Sequence, residues 1–227
     1  MAPAHRPTHN RPETVTGVEG PPAGADPAGA AAGPAARPRG IPPPGALELE
    51  RARGGDPDAL AAFFERYFDQ VFGLTYRLLG DRSLAEDVTQ EVFLKVQRAI
   101  GRLDVARDPW PWLTAIAYNA CRDLWRSSHY RVSRRSTALD DPAVAPRLAS
   151  RADDPERRIL ARERERLVQE AIARLPGPLR AAVVLYDYQG LSHQEVARLT
   201  GIHHAAARKR YSRALAALGA LLEESLG

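Results

Sequence analysis

The chain has 227 residues, with 32 Lys+Arg against 28 Asp+Glu and a formal net charge of +4. That length suits one domain or two small ones, and the mild basic bias permits nucleic-acid binding without demanding it. Its single cysteine, Cys121, excludes an internal disulfide and a multi-cysteine zinc site, and fits a reducing compartment. With no apolar run long enough for a membrane and no apolar core to a signal peptide, the chain is expected to be cytoplasmic.

Residues 1–46 hold 11 of the 19 prolines, 11 alanines, 7 glycines and no aromatic residue. Such a stretch buries too little apolar surface to offset its chain entropy, so a disordered extension is expected. Order is predicted to begin near Asp56-Pro57, a capping residue followed by proline at the first helical position. Leu60, Phe63, Phe64, Tyr67, Val71, Leu74 and Leu78 then recur at helical spacing as far as Leu79, and Gly80 stops the helix. Eleven of the 15 aromatic residues lie between Phe63 and Trp125, which places the core of a first domain there.

A second helix follows. Ser83 and Glu86 predict a capping box at its start, Leu84, Val88, Val92 and Val96 form its buried stripe, and Gly101 is expected to close it in the left-handed conformation. Its other face carries Glu86, Asp87, Gln90 and Glu91. After the loop Arg102–Pro109, Trp110-Pro111-Trp112 opens a third helix with Leu113, Ile116, Ala117, Ala120 and Leu124 inward and Asn119, Arg122, Asp123 and Arg126 outward. An acidic face followed by a basic, aromatic one suggests a protein partner for the first and nucleic acid for the second.

Residues 81–94, DRSLAEDVTQEVFL, and 112–119, WLTAIAYN, resemble region 2 of the bacterial extracytoplasmic-function sigma factors, whose pattern is an AED-x-x-QE-x-F helix followed by a WL-x-x-IA-x-N helix. The periodicity fades over residues 129–154, which read as a linker too short for the extra domain of larger sigma factors. Asp154-Pro155 repeats the cap-then-proline signal and starts a helix with Ile159, Leu160, Leu167, Val168, Ala171, Ile172 and Leu175 inward. Pro176-Gly177-Pro178 breaks it, and a further helix is predicted over Leu179–Tyr188, closed by Gly190. Ser192 and Glu195 form another capping box, Ala197 is small where two helices must approach, and Gly201 turns the chain into a helix from about His203 to Leu222. This helix-turn-helix, preceded by LP-x-x-x-R and GLS-x-x-E-x-A, resembles sigma region 4.

The resemblance implies an all-α fold of two small domains, a region 2 bundle over 54–128 and a region 4 helix-turn-helix over 155–224, joined by a flexible linker. It implies a protein with no catalytic site, cofactor or metal, which binds core RNA polymerase, directs it to promoter DNA and helps open the duplex, under control of an anti-sigma factor. Asp87, Gln90, Glu91 and Phe93 would then meet the polymerase. Trp110, Trp112, Asn119, Arg122 and Arg126 would engage the opened minus-ten element, where aromatic rings and cations hold unstacked bases. His203, His204, Arg208, Lys209, Arg210 and Arg213 would engage the minus-thirty-five element as duplex. The chain departs from the family where a Ser/Thr-rich turn and a β-branched core residue are replaced by Ala205-Ala206-Ala207, so promoter sequence does not carry over. The alternatives are a stand-alone helix-turn-helix regulator, for which the 81–119 pair has no use, a degenerate sigma-like protein, and an enzyme, for which there is no phosphate loop, triad or metal cluster in the sequence.

Overall fold

The structure, a computed structural model, describes residues 44–127 and 155–226. Of the predicted extension over 1–46, residues 1–43 lie outside them, Pro44 to Ala46 are described, and Ala46 begins a helix; the predicted linker lies wholly outside them. The described residues are helical with no strand: α1 (Ala46–Arg53), α2 (Pro57–Leu79), α3 (Arg82–Ala99), a 3-10 turn (Ile100–Arg102), α4 (Trp110–Arg126), α5 (Pro155–Arg174), α6 (Gly177–Val183), α7 (His193–Thr200) and α8 (His204–Leu226). The all-α, two-domain expectation holds.

Helix α1 was not expected. It carries only two buried residues, Leu49 and Ala52, between glycines, which is too little periodicity to stand out. Its partners hold it: Glu48 pairs with Arg66 of α2 at 3.2 Å, and Arg51 with Asp56 at 2.9 Å. The α2 termini agree with the sequence. The Asp56 carboxylate accepts from the Ala59 amide, and Gly80 stops the helix at φ 70°. There the Gly80 amide donates back to the Tyr76 carbonyl at 2.7 Å.

The α3 termini correct the expectation. Asp81, not Ser83, is the cap and accepts from the Leu84 amide at 2.9 Å, while Glu86 pairs with Arg82 along the helix. Gly101 is not left-handed. It lies inside the 3-10 turn, which swings Ile100 and Leu103 into the core one after the other. Of the predicted stripe, Val88, Val92 and Val96 are buried and Leu84 only partly.

The amino-terminal bundle is α2, α3 and α4 around Val71, Leu74, Leu78, Val92, Val96, Leu113 and Ala117. Where α2 crosses α3, the buried hydroxyls of Thr75 and Thr89 lie 2.9 Å apart and Thr75 donates to the Phe72 carbonyl. Cys121 is fully buried on α4, and burial pushes its thiol far above the usual range, so it is an inert packing residue.

In the carboxy-terminal bundle, α5 packs against α8, and α6, α7 and α8 close on Ile172, Leu175, Val184, Leu185, Val196, Ala207 and Ala214. The predicted 179–188 helix begins at Gly177, and its last turn, Val184–Tyr188, is π-helical. The wider turn lets Tyr186, Asp187 and Tyr188 leave the core on successive positions. The Ser192–Glu195 capping box is present with both bonds, and Gly190 (φ 64°) and Gly201 (φ 71°) make the expected left-handed turns.

The two bundles touch. Arg180 of α6 is completely buried and reaches across to the end of α2, where Nη1 donates to the carbonyls of Leu78 (3.0 Å) and Leu79 (2.6 Å). Its Nη2 donates to the carbonyls of Leu175 (3.0 Å) and Ala173 within its own bundle. Nearby, the Arg77 guanidinium lies 4.8 Å over the Tyr188 ring, and Gln169 donates to the Tyr188 hydroxyl at 3.0 Å.

The corrected cap of α3 is directly testable. Asp81→Ala is expected to cost about 1 kcal/mol in urea unfolding, whereas Ser83→Ala stays within about 0.5 kcal/mol. The reverse ranking would restore the capping box at Ser83.

Candidate nucleic-acid interface

Residues Asp87, Gln90, Glu91 and Leu94 fall on one exposed face of α3, spaced three and four apart. Glu91 is paired with Lys95 at 2.7 Å. Phe93 is largely buried at the edge of this face, between Phe64 (centroids 5.0 Å) and Phe68 (5.9 Å, nearly parallel). Phe68 is itself 45% exposed and Leu94 53% exposed. The surface is therefore acidic with an apolar border, a composition suited to a basic, partly apolar partner.

The loop before α4 is held by its own carboxylates. The Asp104 side chain accepts from the Ala106 amide at 3.1 Å and pairs with Arg107, while Asp108 accepts from the Trp110 amide at 3.0 Å. These bonds fix where the loop enters the helix. Of the residues expected to meet bases, Trp112, Asn119 and Arg122 are half-exposed and Arg126 is exposed. Arg122 is paired with Asp123 at 3.5 Å. Trp110 departs from the expectation. It is 1% exposed and stacks nearly parallel on Tyr67 at 6.3 Å, so it packs the core and offers no face to a base.

In the helix-turn-helix, His203 just before α8 and His204, Arg208, Lys209 and Arg213 in its first three turns are exposed, and Arg210 is half-exposed. The Ala206 and Ala207 amides turn back to the His203 carbonyl at 2.9 and 3.0 Å, so His203 occupies the capping position. Ala207 is buried against the bundle and Ala206 is half-buried. Ala207 thus faces the protein, while Ala205 is exposed alongside the cations. A row of cations on the second helix of such a pair matches the chemistry of duplex phosphates and base edges.

Residues 63–131 match Sigma-70 region 2, and residues 165–218 match Sigma-70, region 4. RNA polymerase sigma factor CarQ of Myxococcus xanthus is 36% identical over 176 residues, covering 78% of this chain and 96% of the relative. The chain belongs to the extracytoplasmic-function sigma factors. ECF RNA polymerase sigma factor BldN of Streptomyces coelicolor is 32% identical over 177 residues, covering 78% of this chain and 65% of that protein. Among solved structures, CnrH in complex with the cytosolic domain of CnrY superposes with a TM-score of 0.50 at 25% identity, over 79% of this chain and 97% of that one. The sigma factor RpoE from Bartonella quintana, solved with the anti-sigma factor NepR, superposes at 0.54 with 19% identity over 72% and 96%, a likeness of fold.

As a sigma factor, the protein binds core RNA polymerase and promoter DNA and acts in transcription initiation. The family consists of initiation factors, not enzymes, and no described helix is long and apolar enough to cross a membrane.

Sequence reading of the sigma factor missed three features beside these surfaces. Phe68 and Leu94 share the apolar signature of core residues and are distinguished only by tertiary exposure. His193, the first residue of α7, stacks on Tyr186 (4.3 Å) and lies near Tyr211 (5.3 Å) and His204 (6.4 Å), while Tyr211 donates to Asp187 at 2.9 Å. Its capping-box neighbourhood was legible, but not the aromatic stack. Burial first, then the charges of Arg208 and His204, hold the His193 pKa below the usual histidine value, against the pull of Asp187.

A histidine with a lowered folded pKa stabilises the fold above its unfolded pKa, near 6.5, and loses that contribution as pH falls from there through the folded value. Wild type is therefore expected to lose more stability than His193→Gln between pH 7.5 and pH 5 in urea melts. An equal loss in both proteins would exclude the contribution of this ring.

Proposed function

We propose that the sigma factor divides its work among three patches. The face of α3 bearing Asp87, Gln90 and Glu91, with Phe93 supporting Phe68 at its apolar edge, docks on core RNA polymerase. The outer face of α4, with Trp112, Asn119, Arg122 and Arg126, and the loop before it hold the opened minus-ten strand. The first turns of α8, with His203, His204, Arg208, Lys209, Arg210 and Arg213, lie on the minus-thirty-five duplex. On this reading the amino-terminal domain covers 54–128 together with the α1 helix, and the carboxy-terminal domain covers 155–224. The protein works in the cytoplasm and catalyses no reaction. An anti-sigma factor regulates it, the kind of partner with which the similarly folded RpoE was solved.

The observation that carries this reading is the α3 face. Its acidic residues are exposed and run beside exposed Phe68 and Leu94. Large apolar side chains exposed beside an acidic face suit a partner that presents basic and apolar groups together.

Asp87→Lys with Glu91→Lys is expected to abolish binding to core RNA polymerase while leaving affinity for duplex DNA unchanged. Polymerase binding at wild-type strength by the double variant would place the docking surface elsewhere. For the DNA-reading helix, Arg208→Ala is expected to reduce the slope of log affinity against log salt by about one on a non-specific duplex, as expected for the loss of one phosphate contact. An unchanged slope would show that Arg208 does not neutralise a phosphate.

A further inference from the structure

Among the described residues, Arg208, Lys209, Arg210 and Arg213 make no ion pair, so the first turns of α8 present cations that the fold leaves unneutralised. One edge of this cationic face is aromatic. His204, Arg208 and Tyr211 lie four and three residues apart and share a side of α8. That side meets the start of α7 at His193, 6.4 Å from the His204 ring and 5.3 Å from the Tyr211 ring.

The His193 ring lies against Tyr186 of the π-helical turn, with centroids 4.3 Å apart and planes 18° from parallel. Tyr211 packs on the same Tyr186 ring at 4.5 Å, and its hydroxyl donates to Asp187, which ties α8 to the turn. The imidazole is thereby held in one place and at one tilt. It is nonetheless half-exposed, and no hydrogen bond among the described residues engages its nitrogens or those of His204.

Charged and titratable groups face this ring from three sides. The π-helical turn brings Asp187, which favours an imidazolium, while α8 brings Arg208 and His204, which oppose one. Burial and its bond to Asp187 push the Tyr211 hydroxyl up to about 12, so it stays neutral. On α7 itself the Glu195 carboxylate accepts from the Ser192 amide at 2.7 Å. In the free protein burial and the two cations prevail, and the ring is neutral at pH 7. An anion set against Arg208 reverses that balance, because it offsets both cations and pairs with the ring. The tyrosine beneath also favours a charged ring over a neutral one.

We propose that His193, His204 and Arg208 together hold one backbone phosphate of the bound duplex, and that His193 takes up a proton as the complex forms. The inference rests on the assignment of α8 to duplex DNA. In a helix-turn-helix the first helix crosses the backbone while the second enters the groove, so a phosphate passes where the start of α7 adjoins the first turns of α8. The contact positions the protein and reads no base. It also links binding to pH. As pH falls, affinity begins to rise at the ring's midpoint in the complex and levels off below its midpoint in the free protein.

The test uses the full chain and a short duplex of arbitrary sequence at low salt, with helix content followed at each pH. From pH 8 to pH 6 wild type is expected to bind about tenfold more tightly and His193→Gln about threefold, the remainder belonging to His203 and His204. Calorimetry in two buffers of different ionisation heat counts the protons taken up, and the count is expected to fall in His193→Gln. Titration of the His193 ring by NMR in wild type needs no variant, and its midpoint is expected to rise by about one pH unit when duplex binds.

An unchanged midpoint on duplex, or the same proton count in wild type and His193→Gln, would overturn the contact. Duplex binding that needs Arg208 yet ignores pH would overturn it too, while leaving α8 as the helix that lies on duplex. Absence of duplex binding in every form would bring down both.

Discussion

Everything in this molecule is arranged around one helix with two jobs. Along its length α2 presents Val71, Leu74 and Leu78 to α3 and α4, and so builds the amino-terminal core. At its end the chain must satisfy the last carbonyls, which no residue within the helix can reach. Gly80 satisfies one by turning its own amide back to Tyr76, and Arg180 from the other bundle takes two more. A local requirement of helix chemistry is met by a residue a hundred positions away, and that choice sets how the two halves face each other.

Local chemistry was legible from the sequence wherever one residue could fill a role. Asp56 before Pro57, Gly80, Gly190, Gly201 and the Ser192–Glu195 box all act as their types demand, because capping and left-handed turns involve neighbours only. Legibility failed where two residues competed or where packing decided. Asp81 and Ser83 both have capping side chains, and the glutamate three residues after Ser83 favoured the wrong one. Gly101 is free to be left-handed, yet Ile100 and Leu103 both have to reach the core, and a 3-10 turn delivers them. The π-helical turn and Arg180 depend on contacts that no window of sequence contains.

The candidate surfaces divide in the same way. Charged positions on α3 and α8 were readable because helical periodicity separates wet from dry faces. Aromatic positions were not, since a ring looks alike in a core and on a rim. Trp110 proved to be core, stacked on Tyr67, whereas Phe68, spaced like a core residue, stands open beside the acidic face. The alanines at 205–207, which break the family pattern, cost the recognition helix little. The one that is buried is Ala207, where a small side chain lets α8 seat against its bundle.

The Thr75–Thr89 pair has a further consequence. The Thr75 hydroxyl donates to the Phe72 carbonyl inside its own helix, whereas the buried Thr89 hydroxyl meets its partner, Thr75, across the crossing in this alignment of α2 and α3. Leucines or valines at those points would let the helices slip or roll while remaining buried. The threonines remove that freedom and act as an index mark between the two helices. Through it the angle at which Asp87, Gln90 and Glu91 project is set from inside the bundle, so a partner meets a surface already turned to its working orientation.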